Sequence, residues 1–398
     1  MTVKTKAIQF GTPEFEELLS AIREDANRRR KLPVLEHPFY AIQLIKQTRL
    51  GALRLPVEQG GGGATIPELF EALIELAAAD PDVAHILRSH FSQVETYLMD
   101  VESPERTVWL ERIAEGVILG NAYTEISKNN VGKLEFNTTL LPDGKDYVLN
   151  GSKYYSTGTL YSDYIFVTAA DQNHKVVAVI VPADREGVEI VDDWDGFGQR
   201  STGSGTTHFR NVRVTEGEFE LMEAKTPFNS YAQLFLQAVI AGITQEIVQD
   251  AKKIILSRKR TFTFAVADVP REDPQLQQVI GKLVSNAYAA KAIVLKASHA
   301  LQRAVDHVQN GEVQVEDSHQ AALEAAEAKI IVDELALQSA SLLFEVGGSS
   351  AVREENHYDR HWRNIRTIAS HNPNVYKERL IGDFVLNDRD LPINEVYF

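Results

Sequence analysis

The chain of 398 residues contains no cysteine, which excludes disulfides, thiolate nucleophiles and cysteine-ligated zinc or iron–sulfur centres. No window approaches the ~20 apolar residues needed to span a bilayer. The opening Met1-Thr-Val-Lys-Thr-Lys-Ala-Ile-Gln-Phe10 has no apolar signal core, so a cytoplasmic protein without a membrane segment is expected. Acidic residues outnumber basic ones by 56 to 41, for a formal charge of −15, and no Lys/Arg cluster with interleaved aromatics interrupts that excess. Nucleic acid is therefore not an expected partner. Internal repeats and low-complexity tails are absent as well. No Gly-x-Gly-x-x-Gly fingerprint follows a predicted strand, which argues against a nicotinamide site.

What is present divides into three parts by its apolar period. Residues 1–119 read as helical: Thr12-Pro-Glu-Phe-Glu-Glu-Leu-Leu19 opens like a capped helix, and Pro67-Glu-Leu-Phe-Glu-Ala-Leu-Ile-Glu-Leu-Ala77 carries apolar residues at helical spacing. Residues 120–226 alternate. Tyr147-Val-Leu-Asn-Gly-Ser-Lys-Tyr-Tyr155 reads as a hairpin arm after Pro142-Asp-Gly144, and Tyr164–Thr168, Lys175–Pro182 and Thr207–Val214 are of strand length. Residues 227–398 return to long, Ala-rich amphipathic helices, whose length favours a four-helix bundle. The expected fold is mostly α with a central β-domain, a small barrel or sandwich. Between its last strands lies Asp193-Trp-Asp-Gly-Phe-Gly-Gln-Arg-Ser-Thr-Gly-Ser-Gly-Thr206. Its four glycines would let backbone approach a planar ligand, and Ser201, Thr202, Ser204 and Thr206 offer hydroxyls to a ring edge.

The layout, this loop, Asn121-Ala-Tyr-Thr-Glu125, Asn150-Gly-Ser-Lys-Tyr-Tyr-Ser-Thr-Gly158, Phe344-Glu-Val-Gly-Gly348 and Tyr358-Asp-Arg-His-Trp-Arg-Asn-Ile-Arg-Thr-Ile-Ala-Ser-His-Asn-Pro373 resemble the acyl-CoA dehydrogenase superfamily over nearly the whole chain. The closer resemblance is to its flavin-dependent monooxygenase branch, typified by dibenzothiophene monooxygenase. A dehydrogenase of this superfamily needs a carboxylate base. Its usual place falls on Asn372, and its other known place, within Phe228 to Ile243, holds no Asp or Glu. An amide accepts no proton at neutral pH. The resemblance instead implies a two-component monooxygenase. Reduced FMN arrives from a separate reductase, O2 adds at flavin C4a, and a small, largely apolar substrate is oxygenated, with sulfur a candidate acceptor.

The same resemblance implies His371 as the group that stabilises the oxygen adduct, His90 as a second histidine facing the cavity, and Thr157 as a hydrogen-bond partner of flavin N5. Asn121, Tyr123, Thr124, Tyr155, Thr157, Trp194 and Ser204 are implied around the flavin ring, and Arg260 at its phosphate, often across a subunit boundary, with Arg258 as rival. A homotetramer follows from the same source. FMN and FAD both stay open, because the Phe344–Gly348 turn resembles one near the adenosine half of FAD. His357 and His361, four apart, have no third ligand and read as structural, so no metal is expected. An acyl-CoA dehydrogenase with bound FAD and a non-catalytic binding protein of the same fold are the alternative readings.

Overall fold

The computed structural model describes residues 6–99, 104–126, 134–222, 228–309, 315–395 and 397–398. Its N-terminal part holds α1 (Pro13–Arg29), α2 (Phe39–Thr48), α3 (Ile66–Ala79), α4 (Pro81–Ile86), α5 (Arg88–Met99) and α6 (Pro104–Ala114). Local chemistry sets the starts. Thr12 accepts from Phe15 N at the head of α1. Thr65 and Glu68 form a reciprocal capping box on α3, which satisfies donors that a helix N-terminus leaves free. The Asp80 carboxylate accepts from Asp82 N and Val83 N and starts α4 one residue after α3 ends. Leu87 caps α4, so α4 and α5 are separate helices in one short stretch.

The chain then forms β1 (Leu119–Ala122), β2 (Thr139–Asp143), β3 (Asp146–Lys153), β4 (Tyr164–Ala170), β5 (Val176–Pro182), β6 (Val188–Val191), β7 (Thr206–Val214) and β8 (Phe219–Leu221). They make one eight-stranded sheet in the order β6-β7-β3-β2-β4-β5-β8, with β1 beside β4. The hairpin expected after Pro142-Asp-Gly144 is β2–β3, with Asp143 paired to Asp146. Leu140, Leu149, Ile165, Val167, Val179 and Phe209 fill the core of this part. The C-terminal part consists of α7 (Phe228–Ser257), α8 (Pro274–Gln309) and α9 (Val315–Gly347), with α10 (Asp359–Ala369) and α11 (Asn374–Asn387) packed on α9. The three long helices pack on one another, and α3 lies against α7 and α8. The seam between the helical parts holds Phe70, Phe91, Tyr231 and Phe235, all with rings in contact.

One buried ion pair joins two strand ends that frame the site below. Lys153, at the end of β3 and fully buried, donates to Glu125 Oε1 at 2.8 Å and to Thr168 Oγ1 at 3.2 Å, 4.0 Å from the centre of the Phe136 ring. Glu125, just past β1, also accepts from the backbone of Asn137 and Thr138. Burial pulls Lys153 down to about 8, and the hydrogen bonds it receives hold Glu125 down at about 2. Glu125→Gln leaves an uncompensated ammonium in the interior, and the expected loss is about 3 kcal/mol in urea unfolding. A loss below about 1 kcal/mol would mean that water reaches Lys153.

Candidate functional site

The loop between β6 and β7 is held by its own polar groups. Asp193 accepts from Thr206 N and Thr206 Oγ1, both at 2.7 Å. The Gln199 carbonyl accepts from Trp194 Nε1 (3.0 Å) and Thr202 Oγ1 (2.8 Å), and Gln199 N donates to Asn364 Oδ1 of α10 at 2.8 Å. Its glycines serve this folding. A Cβ on Gly198 would collide with the Arg363 carbonyl, and one on Gly205 with the Val191 carbonyl. The approach they allow is to the chain's own backbone at Arg363 and Val191. The hydroxyls are committed too: Thr202 Oγ1 bonds Ser204 Oγ at 2.7 Å, and Ser204 Oγ bonds Thr157 Oγ1 at 2.7 Å.

From this loop the Gln199 side chain reaches His85 of α4, Oε1 to Nδ1 at 2.9 Å. Arg88, first residue of α5, donates from Nε to the Ala232 carbonyl of α7 at 3.0 Å and from Nη1 to His371 Nε2 at 3.3 Å. His371 is exposed to a water-sized solvent yet has Arg88, His85, Lys329 and Lys377 around it. Arg88 and the Tyr397 ring stand against it just past the end of α10. Burial and these cations hold its imidazole well below the ordinary range, and burial with Arg88 pulls His85 down to about 4. The Tyr397 ring lies 5.5 Å from His371, and its carbonyl accepts from Asn372 Nδ2 (3.2 Å) and Lys377 Nζ (3.0 Å). Asn372 Nδ2 also donates to Gln233 Oε1 of α7 at 2.8 Å.

Tyr155, Thr157, Trp194 and Ser204 come together. The Tyr155 and Trp194 rings are 6.0 Å apart and nearly perpendicular, and Tyr155 holds a φ of 56° with more than half its surface exposed. A bulky aromatic in the left-handed region is a strained placement of the kind found at ligand sites. Thr124 bridges to Tyr154 beside it, Tyr123 feels the Tyr397 phenol, and Asn121 is half-buried on β1. His90 does not join them. It is fully buried, with Nε2 donating to Gly51 O at 2.9 Å and Nδ1 accepting from Leu119 N at 3.2 Å, which leaves no ring nitrogen for a ligand. The turn at Leu87 puts His85 and Arg88 on the cavity in its stead. Arg260 is exposed beyond the end of α7, while Arg258 donates to the Val346 carbonyl at 2.6 Å. His357 stands in a left-handed turn ahead of α10, and His361 bonds Asp250 at 2.9 Å. Sequence reasoning missed His85, Arg88, Gln199 and Tyr397. The spacing of His85 and Arg88 was readable, but the helix break between them was not.

Family models describe residues 121–212 as an acyl-CoA dehydrogenase middle domain and residues 234–375 as an acyl-CoA dehydrogenase C-terminal domain. The dibenzothiophene monooxygenase of Mycolicibacterium goodii is 30% identical over 365 residues, 87% of this chain and 86% of that one. The chain belongs to the acyl-CoA dehydrogenase superfamily, in its flavin-dependent monooxygenase branch. FMN-bound TdsC from Paenibacillus sp. A11-2 superposes with a TM-score of 0.86 at 28% identity, covering 96% of this chain and 98% of the other. The methanesulfinate monooxygenase MsuC from Pseudomonas fluorescens gives 0.87 at 26% identity, over 97% and 100%.

The usual place of a dehydrogenase's base falls on Asn372, whose amide donates to Gln233 of α7, and the other falls in the stretch Phe228 to Ile243, which holds no Asp or Glu. A flavin fits the residues present. Gln199 Nε2 and Asn372 Oδ1 are buried without a partner, and the exposed Tyr155 ring offers a flat apolar face. A separate cavity of about 160 Å³ adjoins the loop at Phe197, Arg200 and Ser201. It is walled by paired charges such as Arg29 with Asp80 and Arg360 with Glu246.

Two outcomes follow. Gly198→Ala is expected to part the loop from α10 and lower both the melting temperature and flavin retention; unchanged flavin affinity would separate the loop from the site. His85, His90 and His361 are pulled by burial to about 4, about 4 and about 3, against an unfolded value near 6.5. As pH falls from about 6.5 towards 4 the unfolded chain binds protons that the folded one refuses, so stability drops over that window. His90→Gln should flatten the slope by about one proton, measured by urea unfolding across that range.

Proposed function

We propose that the protein is a two-component, FMN-dependent monooxygenase. It takes reduced FMN made by a separate flavin reductase, together with O2, and oxygenates a small substrate in the cavity between the β-domain and the helices. The observation that carries this reading is the composition of the site: an amide, Asn372, stands at the expected place of a dehydrogenase's carboxylate, with the His371 imidazole and the Arg88 guanidinium beside it. Kinship with an FMN-bound homologue favours FMN over FAD. Reduced FMN supplies the electrons that send one oxygen atom to water while the other enters the substrate.

The chain's own residues hold, shield and handle the proton. Tyr155 and Trp194 flank the ring; Thr124, Thr157, Asn121 and Tyr123 line its polar edge, and Ser204 orients Thr157 through their 2.7 Å bond. Because Arg88 donates to His371 Nε2, the imidazole is neutral with its proton on Nδ1, and that proton is the one available to the oxygen chemistry. Tyr397, held by Lys377 and Asn372, stands beside His371, and a bound flavin and substrate would complete the exclusion of water that the oxygen chemistry requires. Arg260 serves the flavin phosphate of a neighbouring chain. Beside it, Phe262, Phe264 and Val266 are 63%, 95% and 75% exposed, an apolar segment suited to the contact a homotetramer would make.

The test is anaerobic mixing with reduced FMN followed by O2 in a stopped-flow spectrometer. Reoxidation slower than for free FMN, through a spectrally distinct transient, is expected. Reoxidation at the free rate would defeat the monooxygenase reading, and lack of any flavin affinity would leave a binding protein. His371→Ala should keep FMN affinity within about twofold, lower product formation on the order of 100-fold and divert oxygen to peroxide. Unchanged coupling would remove His371 from the chemistry.

A further inference from the structure

Three enclosed arginines are held by carboxylates, and Arg88 is held differently. Arg29 pairs with Asp25 and Asp80, Arg54 with Glu95, and Arg360 with Asp250. Arg88 has a backbone carbonyl on Nε and a histidine nitrogen on Nη1. A guanidinium carries five N–H donors, so most of this fork is uncommitted on the cavity side, where His371 is open to solvent. Among the described residues no carboxylate forms an ion pair with it, and the Tyr397 phenol is the acidic group that favours its charge. Burial lowers Arg88 to about 10. Its position adds a second disadvantage: it is the first residue of α5, the end of a helix that disfavours a cation. A charge held in two unfavourable settings without a counter-ion is a charge kept for a ligand.

We propose that the substrate is a small organic oxyanion, a carboxylate or a sulfur oxyanion, gripped by Arg88 beside His371. This rests on the monooxygenase reading for the reaction but not for the binding. The N–H groups left on the Nη1–Nη2 edge of the fork match the two oxygens of such a group, and His85 and His371, both neutral, add polar contacts without competing charge. Trp194, Tyr123 and Tyr397 supply apolar surface for the body of the molecule. A neutral heterocycle would occupy the same surface and leave the guanidinium uncompensated. The inference therefore separates substrates by charge: the relatives' names include both a neutral heterocycle, dibenzothiophene, and an anion, methanesulfinate.

The test is calorimetric titration of the FMN-loaded protein at neutral pH and low salt with benzoate and benzenesulfinate, against benzamide and methyl phenyl sulfone as neutral counterparts. The anions are expected to bind about 30-fold more tightly. Arg88→Gln should erase that advantage while leaving the neutral probes within about threefold, and Arg88→Lys should restore part of it. Equal affinity of charged and neutral probes for the wild type would overturn the proposal. So would an Arg88→Gln protein that still prefers benzoate but loses affinity for reduced FMN in an anaerobic titration, since the guanidinium would then serve the negative charge of the reduced flavin. None of these titrations involves O2. Failure of the oxygen reaction would strike the monooxygenase reading alone, and failure of charge selectivity would strike this one alone.

Discussion

The site depends on Gln199, where all three parts of the chain are tied together. Its backbone N–H is taken by Asn364 of α10, its carbonyl by Trp194 and Thr202 within the β-domain loop, and its side-chain oxygen by His85 of α4. Each bond alone contributes about 1 kcal/mol. Together they fix a loop that would otherwise be free to move relative to both helical parts. Its φ of 50° is a conformation that a non-glycine residue adopts at a cost, and the surrounding bonds offset it. Through Thr202 and Ser204 the same residue sets the direction of the Thr157 hydroxyl, so the two sides of the cavity are positioned from one point.

Much of this was legible in the chain. Thr12, the Thr65–Glu68 box and the Pro142-Asp-Gly144 turn mark element boundaries by local chemistry, and local chemistry is what a sequence displays. The motif Tyr358–Pro373, which contains His371, was legible through its resemblance to a family and not through local chemistry. His85, Arg88 and Tyr397 were not, because their role arises from a helix break and from a terminal segment folding back. His90 shows the cost of reading position without direction. It lies two residues from Arg88, on the same helix, and points into the scaffold to bond Gly51 and Leu119. The loop glycines were identified correctly as close-approach positions, but what approaches is the protein's own backbone at Arg363 and Val191.

Buried charge in this molecule has two uses that separate by partner. Arg29, Arg54, Arg360, Lys153 and Lys329 each meet a carboxylate, and together they link elements distant in sequence. Such pairs add little net stability but make rearrangement expensive, since breaking one exposes its partner to an apolar interior. Around the cavity the pattern reverses. Arg88, Lys377 and the neutral histidines have carbonyls, amides or one another for company, so the interior there is short of negative charge while the protein as a whole carries an excess of it.

The break at Leu87 has a consequence for how this scaffold can diverge. Arg88 begins a new helix, so its side chain lies off the packed face of α5 that carries Phe91 and Val94 and is tied to the framework through the Ala232 carbonyl of α7. Exchanging that single residue changes the charge presented to a bound molecule while Leu87 and His90, on either side, keep the framework in place. Charge beside His371 and the packing of the core are thus carried by neighbouring residues of one helix, the first by Arg88 and the second by Phe91 and Val94.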